Sequence, residues 1–427
     1  HGMSERLILG ENAIYTMNGE INDNILVIGG SGSGKTMSLA EPYLLETYAS
    51  SIVVTAVKRR IIEQYAPLLR SRGYDVLDLD LAHPDRSDVT YDPLAYVEST
   101  ADIAHLASAI IDSDPRKAYS SADPYWDKAA TDLLKALIKA VLIRRSIGIS
   151  AGATFADVLW LFDELSFDDK GGGRISTSLD GFFEQLAWSD TDGCAKRWFS
   201  SFSNLPIRTA GCVYSQLATL LSEAFTQELR NMMQNSSRAL DLTQLANQKT
   251  ALFITISPIV SAHRVFANLL YSQLFKALFE LNGSRPLPVP VKILCDDMAA
   301  GGGIHGFPRI LSVIREKGIS VMALLQSEGQ LNECYGHSAQ SIFDNCDSLV
   351  YLGGMDVRTA QHISQRLNTG LEDVLWMPVG REYIFRRGQR PVKTVRYNIQ
   401  SNSLYQQLLR NYKVSQEVYG CDTLRDN

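Results

Sequence analysis

Short apolar runs bounded by Gly, Asn, Asp or Pro recur along the chain and alternate with longer segments of helical period. Eight of the runs read as strands, at residues 25–28, 52–55, 74–79, 252–256, 292–295, 320–325, 348–352 and 382–386. Most are continuously apolar rather than alternating, which predicts strands covered by helices on both faces of a largely parallel sheet. Between residues 79 and 252 this rhythm stops. Helical periodicity takes over at 103–111, 125–143, 155–165, 179–186, 195–202 and 210–221. The pattern predicts one α/β domain built from both ends of the chain, residues 1–98 and 241–427, with an all-α domain, residues 99–240, inserted after the third strand. Glycines at 171–173 and 301–303 mark flexible points.

Composition narrows the function classes. With 427 residues, 45% hydrophobic and 21% charged, the chain is an ordinary globular protein, neither disordered nor fibrous. A net charge of −6 excludes nucleic-acid binding by bulk electrostatics, so any DNA contact rests on a local basic surface or a channel. No run of eighteen apolar residues occurs, so no membrane helix is predicted. His1, Gly2 and Met3 read as a tag remnant, which leads us to expect a natural segment ahead of Met3. The six cysteines are scattered without a C-x-x-C pair, which fits a reducing cytosol, and the seven histidines lack metal-ligand spacing.

The strand at 25–28 runs into Gly29, Gly30, Ser31, Gly32, Ser33, Gly34, Lys35 and Thr36, then into a helical stretch. This is G-x-x-x-x-G-K-T with a strand before and a helix after, the context a phosphate loop requires. Glycines let backbone N–H groups wrap a phosphate, and the helix N-terminus adds its dipole. Lys35 is expected on the β- and γ-phosphates of ATP and Thr36 on Mg2+. Pro42 is expected to bend or shorten the following helix. The strand at 292–295 ends in Asp296 and Asp297, the pattern of a second metal-site carboxylate. Asp296 is expected to hold Mg2+ through water, and Asp297 to orient or deprotonate the attacking water. Gln326, at the tip of the next strand, is placed to sense the γ-phosphate, and Arg315 between them is either a solvated arginine or an arginine finger acting across a subunit boundary.

These residues together resemble the type IV secretion coupling proteins, the TraG/TraD-like ATPases of conjugation. The resemblance runs through the phosphate loop, Asp296–Asp297, Arg315, the 326–331 segment with Tyr335–Gly336, Asp356 with Thr359 and Ala360, Pro124–Tyr125–Trp126, and 72–76. It implies a RecA-like P-loop NTPase domain with an inserted all-α domain, related to the FtsK/HerA motors. It also implies homo-hexamers with ATP between neighbours, and recruitment of relaxase-bound DNA and protein effectors to a secretion channel at the cytoplasmic face of the membrane. Family members carry membrane helices ahead of the phosphate-loop strand, so this chain is expected to rely on a missing N-terminal segment or a membrane partner. Two departures stand out. Asp297 replaces the usual Glu and is one methylene shorter, and Lys58–Arg59–Arg60 follows the second strand without a preceding acid. That basic cluster is either a solvated strand exit or a contact for nucleic-acid phosphate. The all-α segment, with Trp126, Trp160, Trp188 and Trp198, is the expected docking surface, most of those tryptophans being core residues. Two other readings stay open: a nucleotide-binding receptor that recruits cargo with little hydrolysis, and another FtsK/HerA-type DNA motor.

Overall fold

The structure, a computed structural model, describes residues 5–17, 21–114, 124–171, 175–235, 237–296, 298 and 303–422. Its centre is a nine-stranded sheet in the order β13-β12-β11-β3-β10-β9-β4-β8-β5. These strands are β3 (Ile25–Ile28), β4 (Ser51–Ala56), β5 (Asp75–Asp80), β8 (Thr250–Thr255), β9 (Val291–Cys295), β10 (Ile319–Leu325), β11 (Ser348–Tyr351), β12 (Arg381–Arg386) and β13 (Val392–Val395). β11, β3, β10, β9, β4, β8 and β5 are mutually parallel, while β12 and β13 add an antiparallel edge. All eight strands expected from the apolar runs lie in this sheet, and the fold is the expected α/β arrangement.

The alternation hidden inside those runs sorts side chains to two faces. Leu26, Ile28 and Val53 join a core that includes the helix Ser261–Glu280 and the helices inserted between β5 and β8. Ile25, Val27, Ile52 and Val54 join the opposite core, with Arg60–Ser71 and Ser403–Asp422. Both faces being covered explains why the strands read as solid apolar runs. Further strands lie outside the eight. β1 (Arg6–Gly10) and β2 (Ala13–Thr16) form an antiparallel hairpin, and Leu7, Leu9 and Ala13 sit in the second core.

Between β5 and β8 the chain forms Thr100–Asp112, Pro124–Ser146, Phe155–Asp163, Asp180–Leu186, Cys194–Ser203, Ile207–Ala224 and Gln227–Gln234. A small hairpin, β6 (Phe167–Asp169) with β7 (Ile175–Thr177), interrupts the helices. The chain enters and leaves this region side by side: Thr90 N–H donates to Arg238 O at 2.9 Å, and Leu240 N–H donates to Thr90 O at 2.9 Å. Trp126 and Trp198 pack partly buried against the core. Trp160 and Trp188 are 54% and 93% exposed, which corrects the expectation that most of these tryptophans are core residues.

Candidate functional site

β3 ends at Ile28 level with Leu325 of β10 and Tyr351 of β11, so the phosphate loop leaves the sheet at its carboxyl edge. Ligands of open parallel sheets bind in that position. The loop is tied down on both sides. Gly29 N–H donates to Leu325 O and Gly30 N–H to Gly353 O, each at 3.0 Å. Gly30 and Gly354 pack backbone to backbone: a Cβ on Gly354 would lie 3.4 Å from Gly30 N. Gly32 and Gly34 take φ values of +71° and +86°, which a side chain would strain. Lys35 Nζ donates to the carbonyls of Gly29 and Gly30, the latter at 3.1 Å, which curls its side chain over the loop. The Ser33 hydroxyl is buried without a hydrogen-bond partner and faces Gly29.

Beyond Lys35 the backbone runs through a widened turn over Thr36–Ala40, closed by Glu41 N–H to Thr36 O, before a short α-helix, Glu41–Leu45. Pro42 is the physical reason. It lacks the N–H that would bond Ser38 O, and its ring crowds that carbonyl, so the turn ahead of it opens. The expected effect of Pro42 is therefore present as a widened first turn.

Asp296 follows Cys295, which is level with Ala323 of β10 and Thr55 of β4. Ala323 lies two residues below the Leu325–Ile28 level, so Asp296 emerges on the same edge as the loop, two strands or about 10 Å across. Gln326 leaves β10 between them, exposed, with its N–H donating to Gln330 Oε1 at 2.9 Å. Asp297, and the glycines 301 and 302, lie outside the described residues. The structure thus brings Gly29–Thr36, Asp296 and Gln326 to one crevice.

Arg315 is not in that crevice. It sits in a short turn, Ile314–Lys317, ahead of β10 at the opposite end of the sheet. There its charge acts on Asp23, whose carboxyl is pushed up to about 6, mainly by burial. The seven residues of β10 put about 20 Å between Arg315 and its own phosphate loop. Of the basic cluster, Arg59 pairs with Asp78 and Asp80 at 2.7 and 2.8 Å, and Arg60 with Glu41 at 2.5 Å. Two of its three cations are thereby engaged by carboxylates of this chain.

The residues past Gln326 form a brace. Tyr335, at the end of the helix Glu328–Tyr335, accepts the Ile304 N–H at 2.8 Å through its hydroxyl. Its ring fills the place of a side chain at Gly303, where a Cβ would lie 2.9 Å away. Asp356 caps the helix Val357–Leu367 by accepting the Thr359 N–H at 3.2 Å, and the Thr359 hydroxyl accepts the Glu328 N–H at 3.0 Å. Periodicity missed two groups that belong to this site. Arg264, within a solidly buried helix, donates to Asp296 O at 2.9 Å. Arg396, just past β13, donates to Leu352 O at 2.6 Å and would lie 3.5 Å from a Cβ on Gly34. A charged residue inside an apolar helical run was the available signal for Arg264.

A phosphate loop at the carboxyl edge of a parallel sheet, with an acidic strand end one strand removed, defines a RecA-like P-loop fold. Residues 3–370 match the family of type IV secretory system conjugative DNA transfer proteins, and the chain belongs to that family. It is similar to the conjugal transfer protein TraG of Rhizobium radiobacter, 24% identical over 349 residues covering 80% of this chain and 51% of that protein. TraG of Agrobacterium fabrum (strain C58 / ATCC 33970) matches at 24% identity over 80% of this chain and 50% of its own length. The chain therefore spans about half the length of the curated relatives it matches. Among solved structures, the bacterial conjugative coupling protein TrwBdeltaN70 with sulphate is similar, with a TM-score of 0.65 at 18% identity, over 88% of this chain and 85% of that one. TrwB with ADP and Mg2+ gives 0.62 at 17% identity over 88% and 85%, and VirB4 of Thermoanaerobacter pseudethanolicus gives 0.56 at 12% over 94% and 98%. At these identities the structures speak for the fold. Among the described residues, no helix is long and apolar enough to cross a membrane.

Proposed function

We propose that this chain is the ATPase part of a conjugative coupling protein, which uses Mg-ATP hydrolysis to drive or gate transfer of relaxase-bound DNA and protein effectors into a type IV secretion channel. The observation that carries the reading is the meeting of Gly29–Thr36, Asp296 and Gln326 at one sheet edge. The cradle fits a polyphosphate. Glycines stand where side chains would strain or collide, and a lysine ammonium lies over the loop. Lys35 is the group for the β- and γ-phosphates, and the Thr36 hydroxyl and Asp296 are the protein groups for Mg2+. So few protein ligands suit Mg2+, which keeps waters and phosphate oxygens in its shell. When bound, Mg2+ would neutralise charge on the phosphates and so favour transfer of the γ-phosphoryl group to water, with ADP as the leaving group. Asp297 is the candidate to orient that water, and Gln326 to register the loss of the γ-phosphate.

The relatives support this reading: TrwB was solved with ADP and Mg2+ and with non-hydrolysable GTP and ATP analogues, and its descriptions name it a plasmid coupling protein. Residues 99–240 are, in the same reading, the docking domain for DNA-relaxase and effectors, with the exposed Trp160 and Trp188 available to partners. Arg315 points to a homo-oligomer, a hexamer when assembled. It lies too far from its own phosphates to serve them, so it is assigned to a neighbour's site. The assembly works at the cytoplasmic face of the membrane, held there by an N-terminal segment or a partner.

The test is the steady-state Mg-ATP hydrolysis rate against protein concentration, with and without single- and double-stranded DNA, beside Lys35→Ala. The motor reading expects a rate per subunit that climbs with concentration and DNA and is lost in the variant. A flat, near-zero rate with intact nucleotide binding would leave a nucleotide-gated receptor in its place.

A further inference from the structure

We propose that Arg264 is a positioning residue for the Mg2+ carboxylate. It pins the end of β9 so that Asp296 points into the nucleotide crevice. The inference rests on the reading of Asp296 as a Mg2+ group.

The last ladder-paired residue of β9 is Cys295, opposite Thr55 on one side and Ala323 on the other. Asp296 is thus the first residue beyond the ladder, and the next tie to β10 is Met298 N–H to Leu324 O at 3.3 Å. Arg264 Nη1 donates to the Asp296 carbonyl at 2.9 Å. The Cα–Cβ direction at a strand end follows from the backbone, so a donor held on the Asp296 carbonyl limits where its carboxylate can point.

The arm is held rigidly enough for that. Arg264 is only 8% exposed and lies in the first turns of Ser261–Glu280, a helix buried on nearly all sides. Next to it, His263 Nδ1 accepts the Ser257 N–H at 3.1 Å. Two turns on, the Tyr271 hydroxyl bonds the Thr55 hydroxyl at the end of β4. Gln273 then accepts from Tyr91 at 2.5 Å and donates to Pro93 O at 2.8 Å. A buried guanidinium costs several kcal/mol in desolvation unless its donors are used. An apolar side chain would fill this place at lower cost if packing were the whole requirement.

The same helix continues to the inserted region. Ser272 bonds His105 Nε2 at 2.8 Å and Lys276 pairs with Asp102 at 2.5 Å, both on Thr100–Asp112. A shift of that helix would therefore reach the Asp296 carbonyl through Arg264, which gives the docking region a short physical route to the metal group.

The experiment measures the affinity of a fluorescent ATP analogue for the whole chain in EDTA and in Mg2+, for wild type, Arg264→Met and Arg264→Lys. Arg264→Met keeps the apolar stem and removes the donor. It is expected to leave the EDTA affinity unchanged and to lower the Mg2+-dependent gain about tenfold, the scale of one charge-assisted hydrogen bond. Arg264→Lys keeps a cationic donor and should fall between the two. If Arg264→Met fails to fold, Arg264→Lys carries the comparison, its Mg2+ arm alone being expected to weaken. Equal losses in both arms, or an unchanged Mg2+ gain in the variants, would overturn the assignment. Should wild type show no Mg2+-dependent gain at all, the reading of Asp296 itself fails, and this inference with it.

Discussion

Glu382 is a carboxylic acid where the fold has no use for a charge. It sits on β12 with no measurable exposure, neither oxygen has a hydrogen-bond partner, and the cation acting on it is Arg396, whose Nη2 donates to Leu352 O. Burial pushes its pKa from 4.5 up to about 8, with Arg396 opposing only in part. The sign follows from proton counting. Between pH 4.5 and about 8 the folded chain keeps a proton that the unfolded chain releases, so Glu382 lowers stability steadily as pH rises through that window. Glu382→Gln should flatten this part of the profile and raise the melting temperature most above about pH 8, with little change near about pH 5. Thermal melts across that range check it, and parallel curves for the two proteins would refute it. Because Arg396 also touches the phosphate loop at Gly34, the variant reports on a neighbour of the site without altering a phosphate contact.

At the scale of elements, Tyr335 acts as a clamp on Gly303 and Ile304, a few residues past Asp296. Removing the Tyr335 hydroxyl leaves the buried Ile304 N–H without its acceptor. Tyr335→Phe should therefore cost about 1–3 kcal/mol of unfolding free energy in urea titrations, while keeping the ring that packs on Gly303. A loss of a few tenths of a kcal/mol would mean that water or relaxation replaces the bond. Elements also show where sequence reading succeeds. Apolar runs, most of them unbroken, locate β3, β4, β5, β8, β9, β10, β11 and β12, because residues of these strands are buried in cores on the two faces of the sheet. The β1–β2 hairpin has a signal as well, two apolar runs around Glu11–Asn12, though each is short. β13 and the β6–β7 hairpin were not legible, since half-exposed strands of three or four residues carry too few apolar positions to show a period. The phosphate loop was legible because its chemistry is local. Arg264 was not, because its meaning lies in a contact with Asp296, 32 residues further along the chain.

For the whole molecule, the position of Arg315 gives the proposed assembly a test. A solvated arginine and an arginine finger look alike in sequence, and they differ only in what lies within reach. Within one chain the length of β10 separates Arg315 from the phosphate loop, so any part it takes in hydrolysis belongs to a neighbouring subunit's nucleotide. That arrangement is testable by mixing. Lys35→Ala and Arg315→Ala should each be inactive alone, since one lacks the phosphate lysine and the other the finger. In mixed rings, a subunit carrying Arg315→Ala still offers an intact Lys35, and a neighbour carrying Lys35→Ala still offers an intact Arg315. Random mixing in equal amounts assembles such a pair at about one site in four, so activity should return to roughly a quarter of wild type if sites fire independently, and to less if they fire in sequence. The recovery should vanish below the concentration at which the chain assembles, which ties it to the shared site rather than to residual activity of either variant. An Arg315→Ala protein that hydrolyses ATP by itself at the wild-type rate would remove Arg315 from the reaction. The finger would then have to be sought among other cations facing the crevice.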